Sequence, residues 1–217
     1  MQLIYEDAYL LVLDKPAGLL SVPGRGADKA DCLSARAQAR WPDALVVHRL
    51  DQATSGLMLL ARGAEMQRRL SAAFAERCVE KRYEALVHGQ PSAPVAADGW
   101  GEIDLPLIID WPRRPRSKVD HVVGKPSRTR WQRLETKCVE GAEGGSPQIS
   151  RLALAPVTGR SHQLRAHLQA IGHPIVGDQL YGPQDDDAPR LMLHACALRL
   201  AHPAHGQPLA LSSPVPF

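Results

Sequence analysis

The side chains best suited to chemistry in this sequence lie in the polar segment 48–56 (HRLDQATSG). Asp51 follows Arg49 closely, and the segment joins two short apolar runs that are typical of buried strands. A bare structural turn at such a junction would more often use Gly, Asn or Pro, so Asp51 is a candidate site carboxylate. On this segment alone, the favoured interpretation is a turn aspartate that caps backbone N–H groups with help from Thr54 and Ser55.

A second polar cluster, 158–165 (TGRSHQLR), precedes an apolar stripe at helical spacing and therefore predicts the start of a helix. Ser161 is the expected N-cap, and the exposed N–H groups of such a helix start would suit a phosphate. Arg160 and Arg165 add positive charge there. An arginine on a solvated face is the simpler alternative, but Arg165 lies next to the apolar stripe, where we expect a partner carboxylate.

Other site chemistries find no support in the sequence. His162, His167 and His173 do not repeat at helical ligand spacing and no acid joins them, so we predict no metal site. The four cysteines form no C-x-x-C pair, and no G-x-S-x-G motif marks a hydrolase nucleophile. Segment 48–56 holds one carboxylate, whereas glycoside hydrolysis needs a pair.

Positive charge is concentrated in one segment, 113–133. The whole chain of 217 residues has a net charge of +3, whereas this segment holds eight Lys and Arg against one acid, Asp120, for a net +7. Such a concentration favours a surface that meets a polyanion, with a solvated basic loop as the alternative. The eight basic residues are Arg113, Arg114, Arg116, Lys118, Lys125, Arg128, Arg130 and Arg133.

The elements that would position these residues are mostly strands. Short turns, rather than helical crossovers, link most neighbours, which predicts an α+β fold with a mixed, mainly antiparallel central sheet and flanking helices. The Gly-rich segment 140–147 is typical of a mobile hairpin tip. Strands are expected within 3–13, 44–47, 57–61, 81–87, 105–111, 151–155 and 191–200, and helices at 30–40, at 64–77 and from Ser161 to Gly172.

Length and composition predict a single folded domain spanning 1–217. Hydrophobic residues make up 44% and charged residues 23%, with no internal repeat and no linker long enough to divide the chain. No window approaches the run of about 18 apolar residues that a membrane span needs. Glu6 and Asp7 occupy the place where a signal peptide would need an apolar run. We therefore expect a cytoplasmic protein without a membrane partner.

Four motifs, taken in order, resemble those of the RluA family of RNA pseudouridine synthases. The sharpest match is segment 48–61, which is similar to the family's catalytic motif. The resemblance runs over essentially the whole chain, including the closing segment 213–217 (SPVPF). The four motifs are 13–19 (LDKPAGL), 48–61 (HRLDQATSGLMLLA), 81–89 (KRYEALVHG), and 159–167 (GRSHQLRAH) together with 172–178 (GHPIVGD).

The resemblance implies an enzyme that isomerises specific uridines of structured RNA, in large-subunit ribosomal RNA, tRNA or both, to pseudouridine. It makes Asp51 the catalytic carboxylate, which acts in its ionised form on a nucleotide flipped out of its stack. It gives Arg165 the role of the ion-pair partner that holds Asp51, and it places Tyr83 to stack on the uracil and to manage the C5 proton. Because the reaction involves no redox change, no cofactor is expected.

The resemblance also implies an RNA-binding surface, with the basic stretch on phosphates and Arg49 stacked on bases beside the vacated position. We expect one pseudouridine synthase catalytic domain without a separate N-terminal RNA-binding domain, acting as a monomer. The alternatives are a non-catalytic RNA-binding or ribosome-assembly protein and an RNA N-glycosidase, which would release free uracil. The residues expected to contact RNA are Arg49, His48, Thr54, Lys15, Arg113, Arg114, Arg116, Lys118, Arg160 and His162.

Overall fold

The computed structural model groups the chain into two compact units. Unit 1 comprises Met1–Lys81 and His194–Phe217, and unit 2 comprises Arg82–Leu193. The prediction of a single domain spanning 1–217 stays a prediction. Segment 140–147, predicted as a hairpin tip, lies outside the described residues. The structure describes residues 1–26, 29–92, 94, 96–138 and 148–217.

Within these described ranges, twelve strands and three α-helices form, and a short 3₁₀ helix covers Trp111–Arg113. The helices are α1 (Leu33–Arg40), α2 (Gly63–Ala75) and α3 (Gln163–Ala170). The strands are β1 (Gln2–Glu6), β2 (Leu10–Lys15), β3 (Ala44–Val46), β4 (Ser55–Arg62), β5 (Glu80–His88), β6 (Gly101–Asp104), β7 (Leu107–Ile109), β8 (Ser117–Val119), β9 (Arg128–Cys138), β10 (Gln148–Pro156), β11 (Leu193–Ala201) and β12 (Pro208–Ser212).

Unit 1 contains a mixed sheet. β2 pairs antiparallel with β1 and with β4, β3 pairs antiparallel with β4, and β12 pairs antiparallel with β11. β4 and β11 pair in parallel, with Ser55 beside His194 and Gly56 beside Ala195. The last two residues of segment 48–56 are therefore paired with the start of β11.

The central strands of unit 1, β2 and β4, are buried on both faces. Alternate residues separate into two clusters: Val12 packs with Leu70 of α2, and Leu13 packs with Leu33 of α1. A strand covered on both faces is apolar throughout, which explains the uninterrupted hydrophobic runs in the sequence. Both strands thus form a rigid base for the loops at their ends.

Unit 2 contains an antiparallel sheet in the order β5, β10, β9, β6, and β7 and β8 form a separate hairpin. The predicted α+β class with mixed, mainly antiparallel pairing is confirmed. β9 was not predicted from the sequence, because its buried residues Thr129 and Trp131 alternate with Arg128 and Arg130. The local excess of arginine obscured the two-residue period that marks a half-buried strand.

The start of α3 differs from its prediction. The helix begins at Gln163, so the expectation of Ser161 as its N-cap is wrong. His162 precedes the helix in a left-handed conformation with φ of 53°, and it makes no side-chain capping bond. Gln163 Oε1 instead accepts hydrogen bonds from the N–H of Arg160 at 3.0 Å and from the hydroxyl of Thr158 at 2.6 Å. A side chain inside the helix therefore orders the turn before it.

Replacing Gly56 by Ala should strongly destabilise the protein. Gly56 has a φ of 113°, and an added Cβ would lie 2.4 Å from the carbonyl oxygen of Ala195. Backbone strain and overpacking together should lower the free energy of unfolding by about 3 kcal/mol or more, measured by urea denaturation. The matched control is Gly63→Ala, where φ is 76° and no atom lies within 4 Å of the added Cβ. That variant should lose about 1–2 kcal/mol, and equal losses would contradict the close approach at Gly56.

Candidate active site

Segment 48–56 joins β3 to β4 in unit 1 and carries Asp51 at a half-buried position, with Arg49 exposed before it. The backbone just before Asp51 is fixed by Ser21. Its hydroxyl donates to the carbonyl oxygen of Leu50 at 2.7 Å and accepts from the N–H of Leu50 at 3.1 Å. One side chain thus satisfies both backbone groups of the residue that precedes the candidate carboxylate.

The backbone just after Asp51 is fixed by a buried charge. Lys15 has no exposed surface, and its ammonium donates to the carbonyl oxygens of Gln52 at 3.0 Å and Leu19 at 2.7 Å. The N–H of Gly18 donates to the same Gln52 carbonyl at 2.9 Å. A buried ammonium needs such acceptors because its desolvation is costly. The expectation that Lys15 contacts RNA is wrong: its charge holds the loop from within.

His48 anchors the start of the segment. Its Nε2 accepts the N–H of Leu59 at 2.9 Å, and its ring stacks on Phe74 with centroids 4.4 Å apart. Burial, helped by the positive charge of Lys81, lowers the pKa of His48 to about 3, so the ring is neutral at pH 7. These contacts give His48 a structural role, and the expected RNA contact of this half-buried residue stays a prediction. Thr54 has 3% of its surface exposed, which contradicts the expectation that it contacts RNA.

A chain of buried hydrogen bonds supports the first residue of β4. Ser55 Oγ lies 2.8 Å from His194 Nδ1, and His194 Nε2 lies 3.1 Å from Ser213 Oγ. The Ser213 hydroxyl in turn donates to the carboxylate of Asp14. The sequence analysis missed this chain because 139 residues separate Ser55 from His194, and no local pattern reveals a contact of that range.

In unit 2, Arg165 of α3 forms a buried bidentate ion pair with Asp178. Its Nε and Nη2 each donate to one carboxylate oxygen at 2.7 Å, and the two side chains are 5% and 0% exposed. One of those oxygens also accepts two backbone N–H groups from the turn that follows Asp178. The predicted partner carboxylate is present, although the motif 172–178 had suggested no role for Asp178. The expected pairing of Arg165 with Asp51 stays a prediction.

Tyr181 connects Arg165 to β8. Its hydroxyl accepts the N–H of Ser117 at 2.6 Å and lies 3.1 Å from Nδ1 of His162. The guanidinium carbons of Arg165 and Arg116 each lie 5.1 Å from the centroid of its ring. Burial raises the pKa of Tyr181, so the hydroxyl stays protonated at neutral pH. One phenol therefore orders two predicted RNA contacts, Arg116 and His162, whose binding roles stay predictions.

The other predicted residues lie at accessible positions. Tyr83 is half-buried on β5, opposite Leu154 of β10. Arg160 is exposed in the turn before α3, as Arg49 is in unit 1. Their roles in stacking and in RNA binding stay predictions.

The basic stretch 113–133 is less positive in the structure than in the sequence, because acids outside the stretch pair with part of it. Exposed ion pairs contribute at most about 1 kcal/mol, so a phosphate can displace such an acid at small cost. The pair of Arg113 with Asp110 differs, because the Asp110 side chain is only 6% exposed. Within the described residues, Arg114 and Arg116 have no carboxylate at ion-pair distance. The ion pairs are Arg113–Asp110 (2.7 Å), Lys118–Asp120 (3.6 Å), Arg128–Glu102 (2.7 Å) and Arg130–Asp98 (2.5 Å).

The described ranges contain neither a metal-binding cluster nor a membrane-spanning helix. Among the described residues, no group of three His, Cys, Asp or Glu side chains could hold a metal ion. None of the helices formed by those residues has the length and apolar character of a membrane span. Every buried side-chain nitrogen or oxygen among them has a hydrogen-bond partner.

Comparison with known proteins places these residues in a family. A family model described as RNA pseudouridylate synthase matches residues 9–170. The chain belongs to this family. It is 43% identical over 217 residues to the dual-specificity RNA pseudouridine synthase RluA of Escherichia coli strain K12, covering 99% of this chain and 93% of that protein. It is 48% identical over 204 residues to the RluA of Vibrio vulnificus strain CMCP6, covering 93% and 78%.

A solved structure of a pseudouridylate synthase agrees with the fold. Human RNA pseudouridylate synthase domain containing 1 superposes with a TM-score of 0.77 at 30% identity, covering 100% of this chain and 84% of that one. The resemblance to the RluA family is therefore confirmed, and the chain is an RNA pseudouridine synthase that isomerises uridine in RNA. Asp51, Tyr83 and Arg165 lie within the matched range, whereas Asp178 lies beyond it.

Replacing His48 by Gln should reduce the pH dependence of stability. The pKa of His48 in the folded protein, about 3, lies below the ordinary histidine value of 6.5, so unfolding at pH 5 takes up a proton. The stability gained is present above pH 6.5 and is lost as the pH falls. Between pH 7.5 and pH 5, the parent's free energy of unfolding should fall by about 2 kcal/mol through His48.

The measurement is urea unfolding at both pH values. His48→Gln keeps an acceptor for the N–H of Leu59 but cannot titrate, so the fall should be smaller by that amount. The control variant His121→Gln removes an exposed histidine and should keep the fall seen in the parent. Identical falls in the parent and in His48→Gln would show that His48 is not held neutral.

Proposed function

We propose that the chain converts uridines of structured RNA to pseudouridine with Asp51 as the catalytic carboxylate. The observation that carries the proposal is the fixed backbone on both sides of Asp51. Ser21 holds Leu50, and Lys15 holds Gln52, while Asp51 itself is half-buried. Fixing a loop around one acid gives the pre-organised geometry that catalysis needs.

The reaction rearranges bonds within one nucleotide. The bond from N1 to C1′ of uridine breaks, the uracil turns, and a bond forms from C5 to C1′. C5 loses a proton and N1 gains one, so the product is an isomer and no electrons are transferred. Asp51 acts in its ionised form at the ribose of the flipped nucleotide, and Tyr83 stacks on the uracil. Because the loop is fixed before RNA arrives, little orientational entropy remains to be lost.

Arg165 serves in this proposal as the cation that pairs with Asp51. Asp178 occupies the guanidinium edge formed by Nε and Nη2. A guanidinium has a second edge, formed by Nη1 and Nη2, which can bind a second carboxylate. A nearby cation favours the ionised carboxylate that the reaction requires. Asp178 then acts as the positioning residue, since its two hydrogen bonds fix the orientation of the Arg165 guanidinium.

RNA binding offsets the cost of flipping, which amounts to about a few kcal/mol. The proposed contacts are Arg49 on neighbouring bases, and Arg160, His162 and the basic residues 113–118 on phosphates. Large-subunit ribosomal RNA and tRNA are the proposed substrates on the motif resemblance. The names of the relatives, which describe dual specificity for RNA, support more than one substrate class. We further propose a monomer acting in the cytoplasm.

Replacing Asp51 by Asn should abolish isomerisation while leaving RNA affinity within a few fold. Asn has the shape of Asp but cannot carry the negative charge that acts at the ribose. Tritium release from RNA labelled at C5 of uridine measures the reaction, and filter binding measures affinity. Asp31→Asn is the matched control, since Asp31 is an exposed carboxylate of unit 1 paired with Arg36.

Three results would argue against a catalytic Asp51. Full turnover by Asp51→Asn would exclude the role directly. Parallel loss of RNA binding would make Asp51 a binding residue. Free uracil among the products of the parent chain, detected by chromatography, would make the enzyme an N-glycosidase.

Variants at Arg165 and Asp178 should distinguish the contribution of Arg165 to protein stability from its contribution to catalysis. Arg165→Met leaves the carboxylate of Asp178 buried without its partner, which should cost about 3–5 kcal/mol of unfolding free energy. The double variant Arg165→Met/Asp178→Asn removes both charges and should recover much of that stability, measured by urea denaturation. It should remain inactive in tritium release, because the cation for Asp51 is still missing. A stable and active double variant would refute the proposed role of Arg165.

A further inference from the structure

The loop that joins β7 to β8 in unit 2 is closed by its own backbone. The N–H of Asp110 donates to the carbonyl of Arg116 at 2.8 Å, and the N–H of Arg116 donates to the carbonyl of Arg113 at 3.1 Å. The 3₁₀ helix Trp111–Arg113 lies inside this closed loop, and Pro112 and Pro115 restrict the backbone further. The side chains on the loop are therefore presented from a defined frame.

Trp111 is the most exposed tryptophan of the chain, with 64% of its surface in solvent. Trp41 and Trp131 are buried, at 5% and 8%, and Trp100 is half-buried. An indole contributes one of the largest apolar surfaces available to a side chain, and burying it is favourable. Because the Trp111 indole stays exposed on this closed loop, it is available to contact a ligand.

The neighbours of Trp111 are cationic. The guanidinium carbon of Arg114 lies 4.4 Å from the centroid of the Trp111 ring, and no carboxylate in the described ranges pairs with Arg114. Arg113 pairs with the buried carboxylate of Asp110 at 2.7 Å, while its own side chain is 64% exposed and so remains accessible to a phosphate. A ligand suited to this surface has a flat ring to stack on the indole and negative charge beside it.

Trp100 provides a contrast within the same unit. Two guanidinium groups lie against its ring, that of Arg82 at 4.4 Å and that of Arg130 at 5.4 Å. Trp100 therefore already stacks with two cations of the chain, whereas Trp111 stacks with Arg114 and stays exposed. The two residues have the same indole side chain, but the ring of Trp100 already stacks with two guanidinium groups, whereas the ring of Trp111 remains exposed to a ligand.

We propose that Trp111 is a stacking platform for an unpaired base of the RNA substrate, with Arg113 and Arg114 on the phosphates that flank that base. Aromatic side chains bind single-stranded nucleic acids in this way because every base has a π-face. The inference rests on the proposed function, since it takes structured RNA as the substrate. It adds a base-binding position to a loop that was expected to bind RNA only through its positive charge.

The platform predicts selectivity for unpaired nucleotides. A base within a duplex is stacked on both faces and cannot cover the indole, so a fully paired RNA should gain nothing from Trp111. An arginine contact to phosphate makes no such distinction. The salt dependence of binding also distinguishes base stacking from phosphate contacts. Stacking displaces no counterions, whereas each phosphate contact to a single strand contributes about 0.7 to the slope of log K against log salt.

The test uses a stem-loop RNA with an unpaired loop and a duplex of the same length, both titrated into Trp100→Phe. This background removes the other partly exposed tryptophan and should keep the parent's RNA affinity and tritium release. The stem-loop should quench the remaining emission, and the added variant Trp111→Ala should abolish the quenching. Trp111→Ala should also weaken stem-loop binding about tenfold with an unchanged salt slope. Trp111→Phe should retain most of the affinity.

Several outcomes would overturn the platform. Unchanged stem-loop affinity in Trp111→Ala would do so, as would an equal loss for the duplex. A dimer that Trp111→Ala dissociates in sedimentation would show that the indole binds a second copy of the chain. Failure of the proposed function is a separate result, since it requires that the parent chain release no tritium, whatever the fate of Trp111.

Discussion

The ammonium of Lys15 is the interaction on which the site of unit 1 depends. Burying that charge is costly, and the cost is offset only while carbonyl oxygens of two different segments converge on it. One of those oxygens belongs to Gln52, the residue after Asp51. The same contact that keeps the charge satisfied therefore sets the backbone beside the carboxylate, and a shift of the loop would leave the charge with fewer acceptors.

Unit 2 also buries charged groups, but there a cation and an anion are buried together. Arg165 and Asp178 bury a guanidinium and a carboxylate against each other, and the turn after Asp178 adds two N–H donors. Removing either partner would strand the other, so the pair is locked in a single geometry. Tyr181 extends that order to Ser117 and so to the hairpin of β7 and β8. The hairpin that carries the proposed RNA contacts is thereby connected to a buried charge through the hydroxyl of Tyr181.

Patterns local in sequence predicted much of the fold. The apolar runs of β2 and β4 and the spacing along α2 were sufficient for their elements, and the family motifs brought Asp51 and Arg165 to attention. Longer-range features were inaccessible. A lysine is usually exposed, so only the structure shows that Lys15 is buried. Charge counted along the chain also overstated the basic stretch, because Glu102 of β6 and Asp98 of the turn before β6 pair with two of its arginines.

Unit 1 is assembled from two distant stretches of chain, whereas unit 2 is continuous in sequence. On the ribosome, β5, β6, β9 and β10 all emerge before β11 is made, so unit 2 can finish folding while unit 1 still waits. During that interval Ser55 has no His194 to meet, and the start of β4 lacks its parallel neighbour. The half of the molecule that holds the candidate acid is thus completed only after the last segment of the chain has been synthesised.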